Sequence, residues 1–251
     1  MFRWAGGKLN LMLLEGFTPF AAWSSNTEAF MNGRIFAIVG IVAVAGSTAR
    51  GDIITGTITA DNHYALYSSA GNVFSYHGGN ELGPEGSTGG SNWSVAESYQ
   101  FTAGDYMYIA AWSDDSVAQG VLGEFNSPAI GTLVSGDIRW QVTTTGVHRG
   151  DGDSHPGAQE IADDVAFANS NSTWETPFVG GNNGMQPWGT IDGISDSAQW
   201  MWRNNPSSQN ALIGSNGAEN MMIFRAAVPE PASFALYGLA GLAVCRRRGT
   251  R

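Results

Sequence analysis

The chain has 251 residues, a formal net charge of -10, only 14% charged residues and 34 glycines. This length predicts one medium-sized domain accompanied by targeting segments. Residues 52–228 contain no Lys, and their only cations are Arg139, Arg149, Arg203 and Arg225. An acidic body without basic clusters cannot neutralise phosphates, which excludes nucleic acid as a partner and disfavours anionic lipid. The single Cys245 lies near the C-terminus, so the body has no disulfide and no thiolate metal site.

The stretch 31–51 has the three parts of a signal peptide that begins at Met31. Arg34 supplies the positive start, residues 35–45 are apolar, and small residues precede a cleavage site at Ala49. The apolar run is shorter than the roughly 20 residues of a spanning helix, and the alternative is a buried core segment. We expect export with signal peptidase as a partner, and we treat residues 1–30 as an upstream extension that precedes the true translation start.

The body, 52–227, alternates short apolar runs with turns rich in Gly, Asn and Asp. "DIITGTITA", "HYALYSSAG" and "ESYQFTAGDYMYIAAWSDD" predict strands, the last being two strands joined at 102–105. A period of two places Tyr106, Tyr108, Ala110 and Trp112 on one face of the second of these strands. Further strands are predicted at "GVLGEF", "DIRWQVTTT", "AQWMWR" and "NMMIFRAA", with Ile138, Trp140 and Val142 on one face. The pattern predicts a mainly β fold, an antiparallel β-sandwich or barrel.

Two stretches depart from the strand pattern. Residues 78–94 form a long polar loop, rich in Gly. Ile161, Val165 and Ala168 are spaced four and three residues apart, which predicts one short helix that starts near Pro156 or Gly157. The expected fold is therefore a sandwich with a single helix in its body.

Four stretches carry a resemblance to a known fold: "ADNHYALY" (60–67), "WSVAESYQF" (93–101), "YMYIAAWSDD" (106–115), and "AQWMWR" with "MIFR" as a closing pair (198–203, 222–225). They resemble galactose-binding-like β-sandwich domains, the jelly-roll modules that accompany many secreted carbohydrate-active enzymes. The first stretch resembles the family's Asp-Asn loop that leads into a strand. The resemblance implies a jelly-roll sandwich that binds carbohydrate, and the helix and the polar loop depart from it.

Signatures of catalysis are missing from the sequence. The four histidines form no metalloprotease motif, and the chain has no nucleophile elbow and no phosphate-binding loop. Adjacent acids occur at 114–115 and 163–164, but neighbours on a strand or a helix point apart. A glycosidase would need two carboxylates across a cleft, roughly 5 to 9.5 Å apart. We therefore expect a protein that is not an enzyme.

Binding sites have two groups of candidates. Trp93, Trp112 and Trp188 lie near loops and are candidate carbohydrate contacts, although large aromatic side chains more often fill the core. Asp151 and Asp153 are two apart in a Gly-rich loop, a spacing at which carboxylates can bind calcium. The alternative for these two acids is a solvated turn that opens the helix.

The C-terminal residues 228–251, "VPEPASFALYGLAGLAVCRRRGTR", combine a Pro-Glu-Pro triplet, an apolar run and an Arg block. Basic residues after an apolar segment stay cytoplasmic, so export would halt with the triplet outside. The run of about 14 apolar residues is short for a membrane span, which leaves an interfacial or core helix as the alternative. The triplet is Pro229, Glu230 and Pro231, and the Arg block is Arg246, Arg247 and Arg248.

This tail resembles the PEP-CTERM sorting signal of proteins exported by Gram-negative bacteria. The resemblance implies that an exosortase in the membrane removes the tail and passes the protein to the cell surface or the exopolysaccharide matrix, after transient membrane insertion of both ends. The expected function is a non-enzymatic carbohydrate-binding or adhesion module. The alternatives are a structural surface protein without a small ligand and a secreted polysaccharide hydrolase.

Overall fold

The computed structural model describes residues 51–80, 93–114, 117–150, 153–205, 210–214 and 221–229. The predicted signal peptide with Ala49, most of the polar loop, Asp151, and the sorting signal beyond Pro229 lie outside them. Eleven strands and one helix are described. They are β1 (Asp52–Asp61), β2 (His63–Ala70), β3 (Val73–Gly79), β4 (Glu97–Ala103), β5 (Tyr106–Trp112), β6 (Gly120–Ser127), β7 (Gly131–Val134), β8 (Gln141–Thr144), α1 (Ala158–Asn171), β9 (Phe178–Asn182), β10 (Gln199–Trp202) and β11 (Met222–Ala227).

The strands form two sheets, and each strand pair in them is antiparallel. Sheet I has the order β4-β1-β6-β10-β9, with β7 also paired to β6, and sheet II has the order β3-β2-β5-β11-β8. The two sheets pack face to face over a common apolar core. The predicted mainly β antiparallel sandwich with one short helix is thereby confirmed.

The β5 strand is buried on both of its faces. Met107, Ile109 and Ala111 belong to the core between the sheets, while Tyr108 and Trp112 belong to a second apolar cluster on the opposite face. This split follows the predicted period of two, because successive side chains of a strand point to opposite faces. A strand buried on both sides has few polar side chains, as the sequence of β5 shows.

The helix α1 covers the outer face of sheet II. Its buried residues are Ile161, Val165 and Ala168, the three predicted from their spacing, and they pack against the second apolar cluster. Gly157 is the N-cap, and the left-handed C-cap Ser172 donates its N–H to the carbonyl of Ala168. Within the part of the chain that is described, no helix has the length and apolar character needed to cross a membrane.

Two details of the strand predictions need correction. Ile138 does not share a buried face with Trp140 and Val142: it is 88% exposed and precedes β8. The Asp137 carboxylate accepts hydrogen bonds from the backbone N–H and the guanidinium of Arg139, and this turn replaces the start of the predicted strand. The closing pair "AQWMWR" and "MIFR" is also separated, because β10 belongs to sheet I and β11 to sheet II.

Candidate functional site

A cavity of about 260 Å³ lies at the end of the sandwich where β1 passes into β2. It unites two of the three predicted ligand-binding tryptophans with the Asp-Asn pair of the family-like loop. The lining residues are Asp61, Asn62, Trp93, Asp114, Val117, Ala118, Pro187 and Trp188. Aromatic surface and several oxygen acceptors thus converge in one concave site.

Hydrogen bonds hold Asn62 in place between the two sheets. Its side-chain oxygen accepts a hydrogen bond from the backbone N–H of Asp114 at 3.0 Å. Its backbone carbonyl accepts a hydrogen bond from Nδ2 of Asn80 at 2.6 Å. Oδ1 of Asn80 in turn accepts the backbone N–H of Tyr64 at 2.8 Å. The loop between β1 and β2 is therefore braced on both sides, which preorganises the acids beside it.

Asp61 is a buried acid inside this cavity. It is 8% exposed, and its Oδ2 accepts a hydrogen bond from the indole N–H of Trp188 at 2.7 Å. Burial raises the pKa of Asp61 to about 6, and the negative charge of Asp114 contributes in the same direction. The position of a carboxyl group with a perturbed pKa in a concave pocket is typical of functional sites.

Two tryptophans form the aromatic part of the cavity in different ways. Trp188 is 3% exposed and stacks on Trp200 with 4.2 Å between ring centroids, so most of its surface stabilises the core. Trp93 is only partly buried, and its carbonyl accepts a hydrogen bond from the Thr59 hydroxyl at 2.9 Å. Trp93 therefore offers the more accessible ring, while Trp188 orients Asp61.

The third predicted tryptophan, Trp112, lies away from the cavity. It is 0% exposed, stacks on His63 with 5.4 Å between ring centroids, and belongs to the apolar cluster on the outer face of sheet II. The structure thus shows no exposed surface of Trp112. A ligand contact by Trp112 stays a prediction.

Of the two candidate calcium ligands, Asp153 is described and Asp151 is not. Asp153 is exposed, and its Oδ2 accepts the backbone N–H of Gly150 at 2.7 Å. That contact closes a turn ahead of α1. Across the described ranges, no group of three or more His, Cys, Asp or Glu side chains could hold a metal ion. Calcium binding by Asp151 and Asp153 stays a prediction.

The geometry suits recognition of a sugar. A sugar ring presents C–H faces that pack on an aromatic surface and hydroxyl groups that donate to carboxylate and amide oxygens. In the cavity, Trp93 supplies the aromatic surface, and the carboxylates of Asp61 and Asp114 supply the oxygen acceptors. Pro187 and Val117 also line the cavity, and nothing local in the sequence reveals that their segments meet.

We expect the Asp61→Asn variant to be more stable than the unsubstituted protein at pH 7.5. The ordinary pKa of this carboxyl is 3.8 and folding raises it to about 6, so the folded state binds the proton more tightly. The associated stability is complete below the lower value and is lost as pH rises through the higher one. The amide in Asp61→Asn removes the buried charge and keeps an acceptor for the Trp188 N–H. Removal of the charge should raise the free energy of unfolding by up to about 3 kcal/mol at pH 7.5. Chemical denaturation at pH 4 and 7.5 measures the difference.

The exposed Asp196 provides the control, because Asp196→Asn removes a charge that is not buried. The pH dependence of the Asp61→Asn variant is reduced without vanishing, since burial together with Glu160 and Asp163 also raises the pKa of Asp164 to about 6. A variant Asp61→Asn that is less stable at both pH values would contradict the burial argument.

Comparison with protein-family models, with curated proteins and with solved structures finds no match to this chain.

Proposed function

We propose that residues 52–227 are a non-enzymatic carbohydrate-binding module of an exported protein. The observation that carries this proposal is the cavity in which Trp93 lies beside Asp61, Asn62 and Asp114. The signal peptide and the PEP-CTERM-like tail support delivery to the cell surface or the extracellular matrix of a Gram-negative bacterium. Signal peptidase and an exosortase are then partners during export, and an extracellular polysaccharide is the ligand.

The ligand that this cavity suits is an uncharged sugar. Two of its lining residues, Asp61 and Asp114, are acids, and the chain as a whole has a net charge of -10. Carboxylates in the site repel uronic acids and sulfated sugars, whereas the hydroxyl groups of a neutral sugar donate to them. Burial of the Asp61 charge is costly at neutral pH, and the charge interaction with His63 offsets only part of that cost, since the pKa of Asp61 stays raised. Proteins keep a destabilising buried group where function needs it, so the lost stability of Asp61 is consistent with a role in binding.

The finer fold assignment is part of the same proposal. Consecutive strands β1 and β2 lie in opposite sheets, and so do β4 and β5. Such crossings between sheets are a feature of jelly-roll sandwiches. The cavity also lies at the Asp61-Asn62 loop, where the sequence resembles galactose-binding-like domains. Both observations support a jelly-roll module that binds sugar at one end.

The Trp93→Ala variant tests the proposal. We expect the body to bind a subset of uncharged glycans on an array. We expect the variant to lose at least about tenfold in affinity, because truncation of an accessible aromatic anchor costs about 1.4 kcal/mol or more. The control is Phe167→Ala, which removes a 61% exposed aromatic side chain from α1, outside the cavity. Thermal denaturation checks that each variant is folded.

An array on which the folded body binds no glycan would contradict carbohydrate binding. It would favour the alternative of a structural surface protein that has no small ligand. Equal loss of binding in Trp93→Ala and Phe167→Ala would show that the cavity is not the binding site.

Polysaccharide hydrolysis is a second candidate function, and the presence of two carboxyl groups in one cavity favours it. Asp61, with its pKa raised to about 6, would protonate the glycosidic oxygen, and Asp114 would accept a proton from the attacking water. Release of reducing ends from a bound polysaccharide is the measurement. Hydrolysis that Asp114→Asn abolishes, with binding retained, would replace the binding module by an enzyme.

A further inference from the structure

A second concave site lies between α1 and the outer face of sheet II. It is a groove of about 470 Å³, larger than the cavity at Asp61. Side chains of Phe74, Tyr106 and Tyr108 line it from the sheet, and Gln159, Asp163 and Asn169 line it from the helix. The sequence did not indicate this groove, because the helix that forms one wall is distant in the chain from the strands that form the floor.

The floor of the groove is a strip of three aromatic rings. Tyr108 is 5.3 Å from Phe74 and 5.9 Å from Tyr106, measured between ring centroids, with interplanar angles of 33° and 36°. Tyr108 is buried, whereas Phe74 and Tyr106 are partly exposed. The two partly exposed rings, which Tyr108 supports from below, suit the C–H faces of successive sugar units.

The helix wall supplies a donor whose orientation is set by its neighbours. Oδ1 of Asn169 accepts hydrogen bonds from the indole N–H of Trp174 at 2.8 Å and from the guanidinium of Arg225 at 2.7 Å. Its Nδ2 amino group is consequently the part of the amide left to donate to a ligand. Arg225 is itself held 3.8 Å from the ring centre of Trp174 and 5.0 Å from that of Tyr106.

The groove also offers acceptors and carries negative charge. Nε2 of Gln159 donates to Oδ1 of Asp163 at 2.9 Å on the helix, and Asp105 lines the opposite side. Two cations of the described residues contact α1: Arg225 is stacked on Trp174 and bonded to Asn169, and Arg149 is paired with Glu160. Hydroxyl groups can therefore donate to this wall, while an anionic ligand would meet two carboxylates.

We propose that this groove is a second saccharide site and that the body is bivalent for an uncharged polysaccharide. The inference rests on the proposed function of the cavity at Asp61. The cavity lies before the first residue of β2, and the groove includes Ser69 and Asn72 at the other end of that strand. Eight strand residues separate the two sites by about 25 Å.

Bivalency has a physical consequence for a protein of an extracellular matrix. One disaccharide molecule is too short to reach both sites. Two polysaccharide chains, by contrast, can bind at opposite ends of the same sandwich. Two weak sites on one body raise the strength of attachment to a polymer by about 100-fold or more relative to either site alone. The body would then cross-link polysaccharide chains.

The experiment uses dextran, galactomannan and glucomannan as soluble uncharged probes, with alginate as the anionic comparison. Calorimetric titration with tetrasaccharides from the probe that binds gives the number of sites, and light scattering with the whole polysaccharide reports cross-linking. We expect two sites in the unsubstituted chain and one in Trp93→Ala, Phe74→Ala and Asn169→Asp. Each of these variants should lose cross-linking at least tenfold.

Asn169→Asp keeps the acceptors for Trp174 and Arg225 and replaces the amino donor by a negatively charged acceptor, so it tests the need for a donor in the groove without an aromatic deletion. Phe167→Ala, on the same helix and outside the groove, should retain two sites. One site per chain, unaffected by Phe74→Ala and Asn169→Asp, would overturn the second site and leave the proposed function intact.

The remaining outcomes separate the two proposals. Binding lost in Phe74→Ala and retained in Trp93→Ala would overturn the cavity and support the groove. Binding of alginate in preference to the uncharged probes would overturn the assigned ligand class. Absence of binding to all four polysaccharides would overturn both sites.

Discussion

Replacement of Trp188 by Ala is expected to lower the free energy of unfolding by about 3–5 kcal/mol, the usual cost of deleting a buried indole. The Trp188 ring is buried and stacks on Trp200, so its removal leaves a void in the apolar core. Its N–H is also the donor to the Asp61 carboxylate. Urea denaturation at pH 7.5 measures the loss, and Phe167→Ala, an exposed truncation, should change the free energy by less than about 0.5 kcal/mol.

The two contributions of Trp188 can be separated by a double-mutant cycle. Trp188→Phe keeps an aromatic ring on Trp200 and removes the donor, leaving the buried Asp61 charge without it. We expect this substitution to cost about 1–3 kcal/mol more in the unsubstituted protein than in Asp61→Asn at pH 7.5. Because Asp61→Asn keeps an acceptor for the indole N–H, an equal cost in both backgrounds would show that the charge of Asp61 adds nothing to the role of Trp188.

Gly56→Ala is expected to cost about 3 kcal/mol by overpacking the centre of the sandwich. Gly56 lies in β1, and a Cβ atom there would contact the ring of Phe125 on β6, with 2.7 Å to its Cε1 atom. The Phe125 ring is fully buried and lies 5.8 Å from Trp140 between centroids, so it has little room to move. Thermal and urea denaturation report the effect.

A second substitution checks that the Phe125 ring is the cause. Phe125→Leu alone should destabilise by leaving a void, but Gly56→Ala combined with Phe125→Leu should cost less than the sum of the two. Gly150→Ala is the matched control, because its added Cβ would have contacts no shorter than 3.8 Å. Additive costs in the double variant would contradict the steric explanation.

The cavity could be predicted from the sequence only in part. The sequence indicates Trp93 and Trp188 as candidate contacts and an Asp61-Asn62 loop that resembles a known family, but it does not indicate that they converge. Asp61 and Trp188 are 127 residues apart and meet through a hydrogen bond made by the folding of the whole sandwich. The groove under α1 left no sequence signal, because its walls come from a helix and a sheet that pack only in the folded state.

By itself the sequence determined the helix of the body and eight of its eleven described strands, all except β3, β7 and β9. Alternation in β5 and the spacing of Ile161, Val165 and Ala168 are local patterns, and local patterns report which side of an element is buried. Only the tertiary structure decided that β4 and β5 lie in different sheets, that Trp112 is buried while Trp93 is partly exposed, and that Ile138 lies in a turn. The reason is that sheet membership and side-chain exposure depend on pairing between residues far apart in the chain, which no short window of sequence contains.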